Sequence, residues 1–147
     1  LSRLHPRVIA LVDGDADGIG YANALVAADA PNSGVIVRWH DGATIEDAIG
    51  WIVEADAGDC LSSMQMEPVP ENVAELVARL KSDDRANGGL KKDSSTYEEI
   101  ADAIGANDAC RLRARELLNA IASVATGEDA PRFTPDPASP TIRVFQP

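Results

Sequence analysis

A short apolar segment that runs directly into three alternating aspartates constrains the fold of this chain more than any other feature. The segment VIALV at residues 8–12 is continuously apolar, as in strands that are buried on both faces of a parallel sheet. Asp13, Asp15 and Asp17 follow it, and a small-residue segment that opens with Gly18 has the character of a helix. The sequence therefore predicts a strand, an acidic loop and a helix, in that order.

The spacing of the aspartates predicts a site for a divalent cation. Because side chains alternate along an extended backbone, Asp13 and Asp15 can point the same way. Converging carboxylates repel each other unless a cation joins them, and hard oxygen ligands favour Mg²⁺, Mn²⁺ or Ca²⁺. Asp17 is the third candidate ligand. An ordinary Asp-Gly turn remains the alternative, whereas an EF-hand loop is excluded because Ala24 stands where that loop needs a bidentate acid.

The first third of the chain predicts an α/β fold. Residues 35–39 (VIVRW) have the pattern of a second strand, and residues 45–53 form an amphipathic helix. The order strand, helix, strand, helix is typical of parallel strands joined by helical crossovers. Two strands are few for such a sheet, so further strands are expected from outside the chain or through association.

The rest of the chain is predicted to be mostly helical. Asn107 is a candidate cap of the longest helix, and Ser95 with Glu98 resembles a capping box. Residues 58–70 show no clear period, and the proline-rich end is expected to be extended or disordered, with TIRVF as a candidate strand. The predicted organisation is an α/β half over 1–57, a helical subdomain over 58–125 and a C-terminal tail over 126–147.

Composition limits the partners of the chain. The formal net charge is −11, and such a surface repels nucleic acid unless metal ions, a basic patch or a partner domain intervene. The chain has only two cysteines, which fits a reducing cytosol and favours a cytoplasmic location. No apolar run reaches membrane-spanning length, so no membrane partner is expected.

Three further residues are candidates for chemistry on a phosphate. Glu46 falls in the first turn of the helix after the second strand, near the sheet end where the aspartates emerge. The alternative is that acids favour helix N-termini, and Asp47 would serve equally. Lys91 and Lys92 could neutralise charge on phosphoryl oxygens, or they are ordinary solvent-facing lysines.

The other charged groups are less specific. Arginines at alternate positions of the longest predicted helix either touch a phosphate backbone or offset the acidic surface. These are Arg111, Arg113 and Arg115. His5 and His40 are isolated, and no Cys/His spacing indicates zinc.

Several of these segments together resemble a known family. The run VIALVDGDADGIGYANAL resembles the D-x-D motif of Toprim domains, which primases, topoisomerases and certain nucleases share. The segment WHDGATIEDAIGWIV resembles the acidic segment of the overcoming-lysogenization-defect (OLD) nucleases, whose full proteins join an ABC-type ATPase to a Toprim domain. The segments LKKDSSTYEEIADAI and RLRARELL are similar to the helical part of that group, so the likeness spans residues 7–121.

The resemblance implies metal-dependent cleavage of DNA phosphodiesters by a partial Toprim-like sheet. By motif match, Asp13 and Asp15 would hold Mg²⁺ or Mn²⁺, and Glu46 would bind or position a second ion. Lys92, or else Lys91, would stabilise the transition state, with the two metals about 4 Å apart. The implied partners are DNA, an ATPase domain upstream in the parent protein, and a second copy in a homodimer.

The chain departs from the Toprim pattern in one respect. Toprim domains carry a glutamate on a strand upstream of the D-x-D strand, and neither this glutamate nor the ATPase motifs are found in the sequence. The chain is therefore expected to be the C-terminal part of a longer protein. Two alternatives are a DHH-like phosphoesterase, which would need an Asp-His-His cluster, and a non-catalytic Toprim-like module for dimerisation or partner binding.

Overall fold

The computed structural model describes residues 8–28 and 33–147, and it confirms the α/β class. The strands are β1 (Val8–Val12), β2 (Ser33–Trp39), β3 (Phe133–Asp136) and β4 (Ser139–Phe145). The helices are α1 (Ala16–Ala27), α2 (Ile45–Val53), α3 (Ala57–Ser63), α4 (Val73–Lys81), α5 (Ser94–Ala106) and α6 (Asp108–Thr126), with short 3-10 turns at Glu54–Asp56 and Arg85–Asn87.

The described chain divides into two compact units. The first comprises the described residues up to Ile45 together with Leu117–Pro147, and it holds the sheet and α1. The second is Glu46–Glu116, which is helical.

The sheet of the first unit has the order β1-β2-β4-β3, and three of its strands are parallel. Only β3 runs antiparallel, as the first strand of a hairpin with β4. Side chains on one face pack around Ala22 of α1, and they include Ile36, Ile142 and Val144. Side chains at the alternate positions point to the opposite face of the sheet. There Trp39 and Phe145 are buried, and their ring centroids lie 5.4 Å apart in an edge-to-face arrangement. Because β1, β2 and β4 are parallel, their carboxyl ends share one edge of the sheet.

The proline-rich C-terminal segment supplies two strands. The expectation that additional strands come from outside the chain is thus wrong for β3 and β4, and this segment is not disordered. Its prolines suit their positions: Pro135 lies on the edge strand β3, Pro137 in the hairpin turn, and Pro140 is exposed near the start of β4. Edge strands and turns tolerate proline because no ladder hydrogen bond needs its missing N–H.

The second unit is built around its own apolar core. Val53, Leu76, Leu80 and Ile100 are buried there, together with the two free cysteines. Residues 58–63 belong to the segment expected to be irregular, yet they lie in α3, whose Cys60 and Leu61 belong to this core. This segment shows no apolar period because α3 is only two turns long and buries two adjacent residues, which is too few to repeat at helical spacing.

A buried arginine ties the hairpin to the centre of the sheet. The side chain of Arg38 on β2 is 8% exposed, and its guanidinium donates to Asp41 (2.6 Å) and to Asp136 (2.8 Å). The backbone N–H of Ala138 and the Arg38 guanidinium hold the pKa of Asp136 below its ordinary value. Asp136 ends β3, so this ion pair fixes the hairpin to β2 through side chains.

We expect the Arg38–Asp136 pair to make the first unit sensitive to acid. The folded-state pKa of Asp136 is lowered, so its contribution to stability is present above the unfolded pKa of about 4 and is lost as pH falls through the folded value. Asp136→Asn should lower the free energy of unfolding by about 1–3 kcal/mol at neutral pH, because a buried donor loses a charged acceptor. It should also flatten the loss of stability between about pH 5 and pH 3.

Urea denaturation followed by circular dichroism across that pH range measures both effects. Asp129→Asn removes the same charge from an exposed residue and serves as the control. A wild-type pH profile identical to that of Asp136→Asn would contradict the prediction.

Candidate functional site

The acidic loop is held in place by backbone N–H groups. Asp13 follows β1, and its Oδ1 accepts a hydrogen bond from the N–H of Ile45 at 3.1 Å. Asp15 is the N-cap of α1, and its Oδ1 accepts from the N–H of Gly18 at 2.8 Å. Both carboxylates are therefore held in place by hydrogen bonds from backbone N–H groups.

Two backbone hydrogen bonds join this loop to the loop after β2. The N–H of Gly14 donates to the carbonyl of Ala43 at 2.7 Å, and the N–H of Gly42 donates to the carbonyl of Gly14 at 2.8 Å. Only glycine fits at position 14, because an added Cβ would lie 1.9 Å from the carbonyl oxygen of His40. The loops at the carboxyl ends of β1 and β2 thus form one rigid rim.

A second glycine lets α1 begin directly behind the strand. A Cβ on Gly18 would lie 2.1 Å from the carbonyl oxygen of Asp13. The pattern D-G-D-A-D-G therefore combines carboxylates with two positions where the backbones approach closely. This physical requirement distinguishes the segment from an ordinary Asp-Gly turn, in which glycine serves only for positive φ.

The three predicted aspartates line one surface cleft of the first unit. This cleft has a volume of about 360 Å³. Its lining consists of Leu11, Val12, Asp13, Asp15, Asp17, Gly18 and Tyr21. Asp17, in the first turn of α1, is exposed, whereas Asp13 and Asp15 are half-buried. The three candidate ligands Asp13, Asp15 and Asp17 thus line the same cleft.

The chemistry of this cleft fits a hard divalent cation. Mg²⁺ typically takes one or two carboxylates and fills its remaining positions with water or phosphate oxygens, and carboxylates are what the loop presents. Among residues 8–28 and 33–147, no group of three or more His, Cys, Asp or Glu side chains is arranged to hold a metal ion. In this interpretation Asp13 and Asp15 would be the protein ligands.

Glu46 lies in the second unit, in the first turn of α2. Its Oε1 accepts a hydrogen bond from the hydroxyl of Tyr97 at 3.1 Å. Burial raises the pKa of Tyr97, and the charge of Glu46 and this bond raise it further, so the hydroxyl stays protonated as a donor. Asp47, which the sequence does not distinguish from Glu46, instead pairs with the Nζ of Lys81 at 2.6 Å. No local sequence pattern indicates that Tyr97 is the polar partner of Glu46.

Lys91 and Lys92 are exposed on the loop that leads into α5. This loop is fixed by Arg85, which donates to the carbonyl of Lys91 at 2.9 Å and pairs with Asp93 at 3.0 Å. Lys92 has a φ of 60°, in the left-handed region that non-glycine residues seldom occupy. The cap of α5 lies two residues before the predicted one, because Asp93 rather than Ser95 accepts the N-terminal hydrogen bonds. The second unit therefore places Glu46 beside the first turn of the helix that the lysines precede.

Two arginines of α6, Arg111 and Arg113, make contacts within the second unit. Arg111 pairs with Asp108 and donates to the carbonyl of Gly105. Arg113 donates to the carbonyl of Trp51 at 2.8 Å and lies over its ring, 5.2 Å from the centroid. These contacts assign both arginines to structural roles. Asn107 caps α6 as predicted, since its Oδ1 accepts from the N–H of Cys110.

Of the two histidines, His40 is not among the residues that line the cleft. His40 lies in the first unit, where its Nδ1 is buried and has no hydrogen-bond partner. His5 lies outside the described residues. No helix in the described part of the chain has the length and apolar character needed to cross a membrane. Comparison with protein-family models, with curated proteins and with solved structures finds no match.

Proposed function

We propose that this chain is the Toprim-like module of a metal-dependent DNA endonuclease, related in design to the OLD nucleases. The observation that carries the proposal is the cleft at the carboxyl end of β1, whose lining includes Asp13, Asp15 and Asp17. Ligand sites of open α/β sheets lie at this edge. Hydrolysis of DNA phosphodiesters needs groups that neutralise phosphate charge, and a chain with a net charge of −11 needs them even to approach DNA.

The proposed roles follow from the chemistry of each side chain. Asp13 and Asp15 would hold Mg²⁺ or Mn²⁺, and the fixed loop orients their carboxylates. A bound divalent ion of this kind polarises phosphoryl oxygens and makes water a better nucleophile at neutral pH. Glu46 would bind or position a second ion, with its carboxylate oriented by Tyr97. Lys92, or else Lys91, would offset negative charge that develops on the phosphate.

The wider setting of the proposal follows the same resemblance. DNA is the proposed substrate, an ATPase domain is proposed upstream in the parent protein, and the protein is proposed to act in the cytoplasm. Cys60 and Cys110 are both free thiols, which supports a reducing compartment.

A non-catalytic partner-binding module is the second candidate. It is favoured by the exposed side chains of the edge strand β1, where Ile9 is 39% and Leu11 is 50% exposed.

The double variant Asp13→Asn/Asp15→Asn tests the nuclease. Asparagine keeps the side-chain oxygens that accept from Ile45 and Gly18 but removes both charges, so the fold should persist. Replacing groups that merely support metal ligands costs about 10–100-fold in affinity, and we expect a loss of Mn²⁺ binding at or beyond that range. Nicking of supercoiled plasmid by the protein that contains this chain should fall to background.

The matched control is Asp83→Asn/Asp129→Asn, which removes the same charge from two exposed residues away from the cleft. Calorimetric titration with Mn²⁺ and gel analysis of the plasmid give the two readouts. The proposal fails if the cleft variant and the control bind Mn²⁺ equally, or if both nick at the wild-type rate.

A further inference from the structure

The first unit has a second polar surface cleft, formed at the end of β2 and at the β3–β4 hairpin. This hairpin cleft has a volume of about 390 Å³. It is distinct from the aspartate cleft, the one that Asp13, Asp15 and Asp17 line. The polar lining of the hairpin cleft includes Arg38, His40, Asp41, Thr134, Asp136 and Gln146.

The two clefts lie at neighbouring strands of the sheet. Val12, Arg38 and Val144 are paired across β1, β2 and β4, and paired residues of adjacent strands point to the same face. Val12 lines the aspartate cleft, whereas Arg38 and Val144 line the hairpin cleft. Adjacent strands are about 4.8 Å apart, so the clefts adjoin at the sheet edge where ligands of open α/β sheets bind.

The two partners of the Arg38 guanidinium differ in how firmly they are held. The carboxylate of Asp136 is 15% exposed and also accepts a hydrogen bond from the backbone N–H of Ala138 at 2.8 Å. The carboxylate of Asp41 is 82% exposed. A largely hydrated carboxylate gains little from an ion pair, so another anion can replace Asp41 more readily than Asp136.

We propose that the hairpin cleft binds a phosphate of the DNA strand, next to the phosphate held at the aspartate cleft, and that this phosphate replaces Asp41 on Arg38. The inference rests on the proposed function, because a strand bound at the aspartates extends to the adjoining cleft. A phosphodiester carries one negative charge, as Asp41 does, so the exchange leaves the charge of the cleft unchanged. The guanidinium can donate to two phosphate oxygens at once, and Thr134 and Gln146 supply further donors.

The unpaired nitrogen of His40 supports a ligand in this cleft. Its Nδ1 is buried and has no hydrogen-bond partner within the part of the chain that the structure describes. Buried polar atoms of native proteins are nearly always hydrogen-bonded, so such an atom indicates an additional partner. His40 lines the hairpin cleft, and a protonated imidazole nitrogen is a suitable donor to a phosphate oxygen.

Charge favours a phosphate over a cation in the hairpin cleft. The buried charge at its base is the Arg38 guanidinium, whose side chain is 8% exposed, and it repels cations. Within residues 8–28 and 33–147, no group of three or more His, Cys, Asp or Glu side chains is arranged to hold a metal ion. A chain with a net charge of −11 also needs local positive charge to hold DNA.

Removal of Asp41 tests the exchange, because it should strengthen binding and structural damage does not. The affinity for a short, dye-labelled single-stranded oligothymidylate is measured by fluorescence polarisation in metal-free buffer with EDTA. Asp41→Asn should bind roughly two- to fivefold more tightly than the wild type, since the ion pair that competes with the phosphate is lost. Asp129→Asn removes the same charge from an exposed residue outside the cleft and should change the affinity much less.

Replacement of the guanidinium completes the test. Arg38→Lys keeps the positive charge but loses the planar pair of donors, so it should weaken binding roughly tenfold or more. In the double variant Arg38→Lys/Asp41→Asn the gain from Asp41→Asn should disappear, because both residues act on the same phosphate. Circular dichroism shows whether the lysine variants fold. If they do not, the comparison of Asp41→Asn with Asp129→Asn decides alone.

Three outcomes would overturn the proposal. The first two are equal affinities of Asp41→Asn and Asp129→Asn, and a folded Arg38→Lys that binds like the wild type. The third is uptake of inorganic phosphate, measured by calorimetry and lost in Arg38→Lys, without any binding of the oligothymidylate, which would assign the cleft to a free phosphate. These measurements need neither metal nor cleavage, so they fail or succeed separately from the nicking test of Asp13→Asn/Asp15→Asn.

Discussion

Gly14→Ala should unfold the first unit or leave it barely stable. The added Cβ would lie 1.9 Å from the carbonyl oxygen of His40 and 2.7 Å from that of Trp39, and both are backbone atoms that cannot rotate away. Relief requires the two loops to separate, which breaks the hydrogen bonds of Gly14 with Ala43 and Gly42. Overpacking costs about 1–3 kcal/mol and each lost hydrogen bond about 1 kcal/mol, so we expect a loss of about 3–5 kcal/mol.

Such a loss is a large part of the stability of an ordinary domain, which is about 5–15 kcal/mol. Gly20→Ala is the matched control, because nothing lies within 4 Å of its added Cβ and the residue is in α1. Alanine there should stabilise the helix by about 0.5–1 kcal/mol. Urea denaturation of both variants measures the difference, and equal midpoints would show that the two loops do not approach as closely as described.

Phe145→Ala should be the most damaging truncation in the C-terminal hairpin. Phe145 is 2% exposed, and its ring centroid lies 5.4 Å from those of both Trp39 and Phe133. Truncating a buried phenylalanine costs about 3–5 kcal/mol through lost apolar burial and the cavity that remains. Because β4 is a central strand, we expect the whole first unit to lose stability rather than the hairpin alone.

Thermal unfolding followed at 222 nm and by tryptophan fluorescence tests this expectation, since Trp39 reports directly on the aromatic cluster. Leu118→Ala, at a residue that is 64% exposed, should change stability by less than about 0.5 kcal/mol. If Phe145→Ala unfolds at the wild-type temperature, the C-terminal strands do not contribute to the core.

The sequence predicts the first half of the sheet well because its signals are local. A continuous apolar run predicts β1, the aspartates and small residues after it predict the loop and α1, and VIVRW predicts most of β2. The cap at Asn107 follows from side-chain chemistry alone. The three aspartates line one cleft because they follow β1 directly, in the loop at its carboxyl end and in the first turn of α1.

The remaining features depend on contacts that are distant in sequence. A charged Arg38 in a buried strand needs an acceptor for its guanidinium, and that acceptor, Asp136, lies 98 residues further along the chain. Tyr97 and Glu46 are 51 residues apart, and the pattern of each helix alone does not indicate their hydrogen bond. The prolines near β3 favour irregular structure locally, and only their positions in the finished sheet, on the edge strand and in the hairpin turn, make them acceptable.

The strand order has a consequence for biosynthesis. Because β2 takes β4 as its second neighbour, a ribosome must translate nearly to residue 145 before the centre of the sheet can close. Until then β1 and β2 lack their neighbour β4, although helices α1 to α6 have already been translated. Such distant pairing slows folding, since the entropy of closing a long loop is lost before the contacts form. The codons for β4 thus control when β1 and β2 become native.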